Sequence, residues 1–411
     1  MNGADALIAT LVKNGVDVCF TNPGTSEMQF VTAIDKVDGM RAVLALFEGV
    51  ATGAADGYAR MAGKPASTLL HLGPGLGNGL ANLHNAKRAF SPLINIVGDH
   101  ATYHRGLDAP LTSDVEAVAK PFSHWIHTST SAAGLADDGI AAIEAASQQP
   151  GSIATLIVPA DCAWDPAEGP SDKAPQLAVR NSADDSKITA VVDALNSGAP
   201  CGFLFNDEAC SEAGLALMSR IAAKTGARVI SDTFVARIAK AAGRGAYERL
   251  GYFGESAVEQ LQDLKYLILV GTKAPVSFFA YPGKPSHLTP EGTTALELGP
   301  TGSDLLGALE AVADGVGAPA QPVLQALNLP DLPSGELNVV SAWQTIANLI
   351  PEGAILADES TTSGLGADMF MNGARPHDLR LLPGGSIGYG LPVAVGASGS
   401  LSVAAPSELS A

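Results

Sequence analysis

The feature that most constrains this chain is an alternation of short apolar runs with helical segments of small residues. Across residues 1–165 the pattern predicts a helix over 4–14, a strand over 16–21 and a helix over 25–35. A short buried strand over 42–47 and a helix over 48–61 follow, then a strand over 66–72 and a helix over 78–89. Strands over 93–98 and 154–158 complete the block. Alternation of this kind means βαβ units and mostly parallel, doubly wound sheets in a three-layer α/β arrangement. Such sheets bind ligands outside the carboxyl ends of their strands.

Residues 165–186, rich in Pro, Asp, Ser and Ala, read as a linker. A second alternating block follows, with helices at 188–196 and 210–224 and strands at 201–205, 228–231, 266–271 and 294–298. Residues 315–335 form another linker. The third block has a helix at 340–349, a strand at 354–358 and a Gly-rich segment at 384–396, and 398–411 has tail composition. Roughly 75 residues are too few for a complete α/β layer domain. The expected division is therefore 1–165, 186–315 and a partial third domain at 337–411.

Bulk composition narrows the function. With 46% hydrophobic and 16% charged residues the chain suits a well-buried globular protein. A net charge of −18 argues against nucleic-acid and anionic-membrane partners. The N-terminus lacks the basic region of a signal peptide, and no apolar run approaches a membrane span. Cys19, Cys162, Cys201 and Cys210 show no CxxC spacing and read as buried, reduced thiols of a cytoplasmic protein.

Glu48 is the leading candidate for chemistry. It follows the apolar run 42–47 and opens a small-residue helix that lets another group approach closely. Three further segments end strands and so border the same crevice. The first is Asn22-Pro-Gly-Thr-Ser-Glu27, where Thr25 or Ser26 could cap a helix. The second is His71-Leu-Gly-Pro-Gly-Leu-Gly-Asn-Gly79, and the third Gly98-Asp-His100. Gly73-x-Gly75-x-Gly77 followed by Asp99 imitates a dinucleotide fingerprint, with Gly77 one place early and Pro74 in the first gap; a nicotinamide-dependent oxidoreductase is one alternative. His71, at a strand end, should face the crevice. His100 and His104 read as a solvated loop, and His124 and His127 as packing around Trp125. Arg237, Lys240 and Arg244 read equally as phosphate contacts or as a solvated helix face.

Taken together, Asn22-Pro-Gly-Thr25, Phe47-Glu48-Gly, Ala55-Asp-Gly-Tyr-Ala-Arg60, Gly73-Pro-Gly75 and Ser91-Pro-Leu resemble the pyrimidine-binding domain of thiamine-diphosphate enzymes. Acetolactate synthase and benzoylformate decarboxylase belong to that group. Asp358-Glu-Ser-Thr-Thr-Ser363 and Gly384-Gly-Ser-Ile-Gly-Tyr-Gly-Leu-Pro392 resemble its first diphosphate-side strand end and its thiazolium loop. The resemblance runs the length of the chain, is strongest to bacterial acetolactate synthase large subunits, and implies the thiamine-diphosphate-binding fold.

By that resemblance Glu48 would share a proton with N1′ of the cofactor's aminopyrimidine, so that N4′ can remove the thiazolium C2 proton. A 2-oxo acid is then the implied substrate, CO2 the implied product, and the cofactor the electron sink. Gly24, Pro74, Gly75 and Asn78 would line the cofactor. Thr361 and Thr362 would reach its diphosphate, the Gly385 carbonyl would hold N4′, and Ile387 would sit under its bend. Thr25 and His71 match substrate-contacting positions of benzoylformate decarboxylase-like enzymes, with His71 as acid or base.

The family's second histidine has no counterpart in Ser277-Phe-Phe-Ala-Tyr281, whereas acetolactate synthases usually lack a histidine at the His71 position. The family's Gly-Asp-Gly segment for Mg2+ is missing, so weak or absent cofactor binding in a truncated, non-catalytic remnant is a further expectation. The resemblance also implies a homodimer or homotetramer, and leaves FAD in the middle domain open.

Overall fold

The computed structural model describes residues 1–364 and 366–401. The chain divides into two compact units: Met1–Val179 together with the segment from Leu382 onward, and Arg180–Leu381.

The first unit runs α1 (Gly3–Lys13), β1 (Val18–Asn22), α2 (Met28–Lys36), β2 (Arg41–Leu44), α3 (Glu48–Ala62), β3 (Ala66–Leu70) and α4 (Leu72–Arg88). It continues with β4 (Leu93–Asp99), α5 (Val115–Ala119), β5 (Trp125–Thr128), α6 (Leu135–Ala146), β6 (Ile153–Pro159) and α7 (Ala160–Trp164). Its six-stranded sheet has the order β2-β1-β3-β4-β6-β5, parallel throughout. Strands β3, β4 and β6 are buried along their whole length, as their unbroken apolar runs require in a sheet covered on both faces. One apolar layer, with Leu7, Phe30, Ile96 and Ile143, lies under α1, α2 and α6; the other, with Phe20, Tyr58, Leu83 and Val97, lies under α3 and α4. These are the expected three layers.

The predicted helix at 25–35 is present, its first turn, Thr25–Glu27, being 3-10 before α2 begins. Two local expectations fail here. The run 42–47 is not a buried strand: β2 is an edge strand, and Leu44 and Leu46 are exposed. The glycine segment is not a strand-to-helix loop. It forms the first turns of α4, with Pro74 in the opening turn, where a missing N–H costs nothing.

The second unit contains α8 (Asp185–Asn196), β7 (Cys201–Phe205), α9 (Glu212–Thr225), β8 (Arg228–Ser231), β9 (Ile238–Lys240), β10 (Glu248–Arg249) and α10 (Gly254–Leu261). Then come β11 (Tyr266–Val270), β12 (Thr294–Gly299), α11 (Leu305–Gly315), α12 (Val339–Leu349), β13 (Ala354–Ala357), α13 (Asp368–Met371) and β14 (His377–Arg380). A five-stranded parallel sheet has the order β10-β8-β7-β11-β12, and a smaller sheet the order β13-β14-β9. The supposed basic helix face is instead built around β9. Arg237 pairs with Asp378, Lys240 is buried against Asp368, and Arg244 pairs with Glu212.

The chain returns to the first unit with turns over 383–389 and α14 (Gly390–Leu401). Helix α14 packs on α3 backbone to backbone. A Cβ on Gly57 would lie 2.1 Å from the Val393 carbonyl oxygen, and one on Gly53 2.7 Å from Pro392. The small residues of α3 are there to admit this helix. All four cysteines are buried and unpaired.

Candidate active site

The order β2-β1-β3 reverses direction between β1 and β3, which is where a doubly wound sheet opens a crevice. The strand ends are in register, Asn22 opposite Leu70, so the turns that follow them meet. One carries Gly24, Thr25 and Glu27; the other is His71 at the head of α4.

Glu48 is the first residue of α3, where the helix dipole favours a carboxylate. It is 8% exposed. Its Oε2 accepts from Asn78 Nδ2 at 2.9 Å, and among the described residues Oε1 has no hydrogen-bond donor. Gly75 lies against both predicted catalytic groups: a Cβ there would stand 3.2 Å from Glu48 Oε1 and 3.3 Å from the His71 Cβ. Glu48, His71, Gly75 and Asn78 are thus brought to one place. Pro74, Thr25 and Asn78 are exposed at the same rim.

A residue that sequence reasoning passed over sits beneath them. Glu27 is fully buried, and its Oε2 lies 2.7 Å from His71 Nδ1 and accepts from the Gly24 N–H at 2.8 Å. Glu27, rather than Thr25 or Ser26, therefore supplies the helix-start hydrogen bond. Burial pushes its carboxyl above the ordinary carboxylate range, against the opposing pull of the Gly24 N–H and His71. Its signal was a Glu three residues after a turn glycine, the capping-box spacing.

The turn at 384–388 is tied to α4 by polar side chains. His84 Nε2 lies 3.0 Å from the Gly384 oxygen, and Asn85 Nδ2 donates to the Ser386 oxygen at 2.7 Å. Asn82 Nδ2 donates both to the Gly49 oxygen, next to Glu48, at 2.8 Å and to the Gly388 oxygen at 3.3 Å. Asn82 therefore links the turn bearing Gly385 and Ile387 to the start of α3. Gly385 and Gly388 take positive φ, and Ile387 is 70% exposed. Below, Arg60 Nε donates to Asp56 at 2.7 Å and its Nη1 to the Tyr389 hydroxyl at 2.7 Å, a buried network that includes Ser91.

The other candidates resolve differently. Thr361 and Thr362 lie in the second unit, exposed on a 3-10 turn after β13. Asp99, the acid of the dinucleotide imitation, is paired with Arg105, and Gly77 meets nothing that a Cβ would disturb. Gly75 makes room for protein side chains, which removes the steric basis of the nicotinamide reading. His100 and His104 stack at 5.3 Å on a turn, and no cluster of three or more His, Cys, Asp or Glu among the described residues could hold a metal. His127 lies beside Trp125 and near Asp138.

A nearly buried carboxyl with one oxygen undonated, set over a glycine at a strand-end crevice, fits a flat heterocycle with a ring nitrogen to receive. Residues 1–135 match the family described as thiamine pyrophosphate enzyme, N-terminal TPP binding domain. The chain is 51% identical over 409 residues to a Mycobacterium tuberculosis protein bearing the name of an acetolactate synthase large subunit, covering 99% of this chain and 77% of that one. It is 28% identical to benzoylformate decarboxylase of Pseudomonas aeruginosa, covering 94% and 76%. A Rhodococcus jostii thiamine diphosphate-dependent 4-hydroxybenzoylformate decarboxylase shares the fold, with a TM-score of 0.83 at 22% identity over 97% of this chain and 79% of that one. The chain belongs to the thiamine-diphosphate-dependent enzymes, as a relative of acetolactate synthase and benzoylformate decarboxylase.

Proposed function

We propose that the chain performs acetolactate synthase-like chemistry on a 2-oxo acid, decarboxylating pyruvate and joining the remaining fragment to a second carbonyl. The observation that carries this reading is Glu48, nearly buried at the crevice with Oε1 undonated. Glu48 would hold a proton at the aminopyrimidine nitrogen of the bound cofactor. Asn78 orients the carboxyl through Oε2. His71 moves a proton on the substrate side, with Thr25 beside it. Gly24, Pro74 and Gly75 shape the wall, while Gly385 and Ile387 approach from the turn that Asn82 secures. Thr361 and Thr362 are assigned to the diphosphate by the family resemblance alone, and would hold it if it reaches their turn. When bound, thiamine diphosphate supplies a carbon nucleophile and an electron sink for the bond that breaks.

A benzoylformate decarboxylase-type reaction is the second reading, favoured by His71 at the rim. The exposed apolar residues flanking Glu48, namely Leu44, Leu46, Phe47 and Val50, support a homo-oligomer. The four unpaired thiols support a cytoplasmic location. The two larger sheets support domains at 1–165 and 186–315, while a third from 337 onward rests on the sequence pattern, since the smaller sheet also takes in β9.

Calorimetry with thiamine diphosphate plus Mg2+, beside NAD, tests the cofactor: binding of the former alone is expected. Product analysis with pyruvate and with benzoylformate separates the two reactions. Glu48→Gln should lower turnover by about 10²–10⁴-fold with the fold unchanged. Near-full activity in that variant would remove Glu48 from its role.

A further inference from the structure

We propose that Glu27 is a positioning residue that fixes the proton of His71 on Nδ1 and so presents a bare Nε2 to the crevice. The role assigned to that nitrogen rests on the reading above; the hydrogen-bond arrangement stands on geometry alone.

Two donors converge on one oxygen. The backbone N–H of Gly24 can only donate, and it does so to Glu27 Oε2 at 2.8 Å. His71 Nδ1 meets the same oxygen at 2.7 Å. With Glu27 ionised, as its charge-offsetting role requires, both of its oxygens can only accept, which makes Nδ1 the protonated ring nitrogen. The other carboxyl oxygen, Oε1, is buried without a hydrogen-bond partner among the described residues, so a proton placed there would find no acceptor among them. Nε2 has no protein partner among the described residues, and the His71 side chain keeps 25% exposure.

The surroundings are cut to seat this pair. A Cβ on Gly98, at the end of β4, would stand 1.8 Å from Glu27 Oε1, and one on Gly24 2.3 Å from His71 Nδ1. Glycines from two strand ends therefore make room for one carboxyl–imidazole contact. A carboxylate that only capped the turn would need its bond to Gly24 and nothing from Gly98. Here the carboxyl is driven into the sheet, where it can hold only a group that comes to it.

The proton step balances simply. The 2-oxo acid itself carries no hydroxyl; once its carbonyl oxygen has taken up a proton in the reaction, that hydroxyl would give the proton to Nε2 and be left as an oxyanion. The imidazolium formed keeps Nδ1–H on Glu27, whose negative charge offsets it. The reverse transfer regenerates a hydroxyl and the neutral ring.

Nitrogen-resolved NMR of the whole protein without substrate tests the arrangement independently of turnover. In the wild type near pH 8, His71 should show Nδ1 protonated and Nε2 bare. Glu27→Leu removes the acceptor and should give mixed tautomers. Glu27→Gln keeps an acceptor oxygen and should restore the Nδ1–H form. In turnover, Glu27→Leu should lower kcat at least about tenfold with KM within about twofold, and Glu27→Gln should recover most of that loss. A wild-type ring protonated on Nε2, or an unchanged spectrum in Glu27→Leu, overturns the proposal. If the leucine variant does not fold, the wild-type and glutamine spectra decide. The expected spectra without 2-oxo acid turnover would leave the positioning intact and sink the assigned reaction instead.

Discussion

The two units solve the same topological problem in opposite ways. Each has a parallel sheet that reverses direction, between β1 and β3 in the first and between β7 and β11 in the second. Each places acids at the strand ends beside the reversal. In the first unit Glu48 keeps an oxygen over Gly75 that no described residue donates to. In the second the chain's own groups use the acids. Asp207 Oδ2 accepts from the Gly302 N–H at 2.8 Å and lies 3.3 Å from Arg180. Glu208 Oε2 accepts from Leu305 N–H at 3.1 Å, at the start of α11, and Asp232 accepts from Asn206 and Thr272. A reversal provides a place for a ligand, and whether the local donors are already taken decides whether the place can be used.

The largest effect that could break this contrast is on turnover. Glu48→Gln should cost about 10²–10⁴-fold in kcat, and Glu208→Gln should leave kcat within about twofold. Equal losses would mean that the second crevice also works. Next comes stability. Asp56 and Arg60 are buried together under the first crevice, so Asp56→Ala should cost about 3–5 kcal/mol by chemical denaturation, because it strands a buried guanidinium. Asp207→Ala removes a partly exposed pair and one backbone bond and should cost about 1 kcal/mol.

A pH series sharpens the same comparison. Burial raises the Glu27 carboxyl in the first unit and the Asp232 carboxyl in the second. A raised folded value means that the folded state holds the proton more tightly than the unfolded state. The stability this contributes is complete below the unfolded value, near 4.5 for Glu27 and 3.8 for Asp232, and is lost as pH climbs through the folded value. Glu27→Gln and Asp232→Asn carry no such proton. Each should gain stability relative to wild type as pH rises from 4.5 to 8, read from paired denaturation curves. A flat difference would place the carboxyl in a better-solvated setting.

Legibility followed burial and interruption. Strands β3, β4, β7 and β11 were readable because a short apolar run bounded by turn residues has few other uses in a covered parallel sheet. The run at 42–47 carries the same composition and misled, because Leu44 and Leu46 lie at a sheet edge that composition does not mark. The start of α4 was hidden by its glycines. Tertiary contacts explain them: Gly75 admits Glu48, Gly79 admits Thr52 and Gly73 admits Ser113. Strand β9 looked like a helix face because Lys240 is spaced like a surface charge, yet it is buried on Asp368. Glu48 was legible from its place after a strand. Glu27 was not, since a Glu after a turn glycine ordinarily ends as an exposed cap.

The smallest expected effect is none. A dinucleotide or flavin would need its diphosphate near backbone N–H groups beside the second reversal, with a helix N-terminus behind it. Here Glu208 holds the first N–H groups of α11, and Asp207 holds Gly302. A Cβ on Gly271, at the end of β11, would lie 2.9 Å from the Asn206 oxygen and 2.6 Å from Leu305, so no backbone gap is left there either. A phosphate would have to displace two carboxylates and then sit among them, like charge against like. Titration with ADP or FAD should therefore give no heat attributable to this unit, and the purified protein should show no flavin absorption in the visible range. Glu208→Ala frees the helix start at a cost of about 1 kcal/mol, and weak phosphate binding in that variant alone would show that the carboxylate, rather than the shape of the sheet, closes the second crevice.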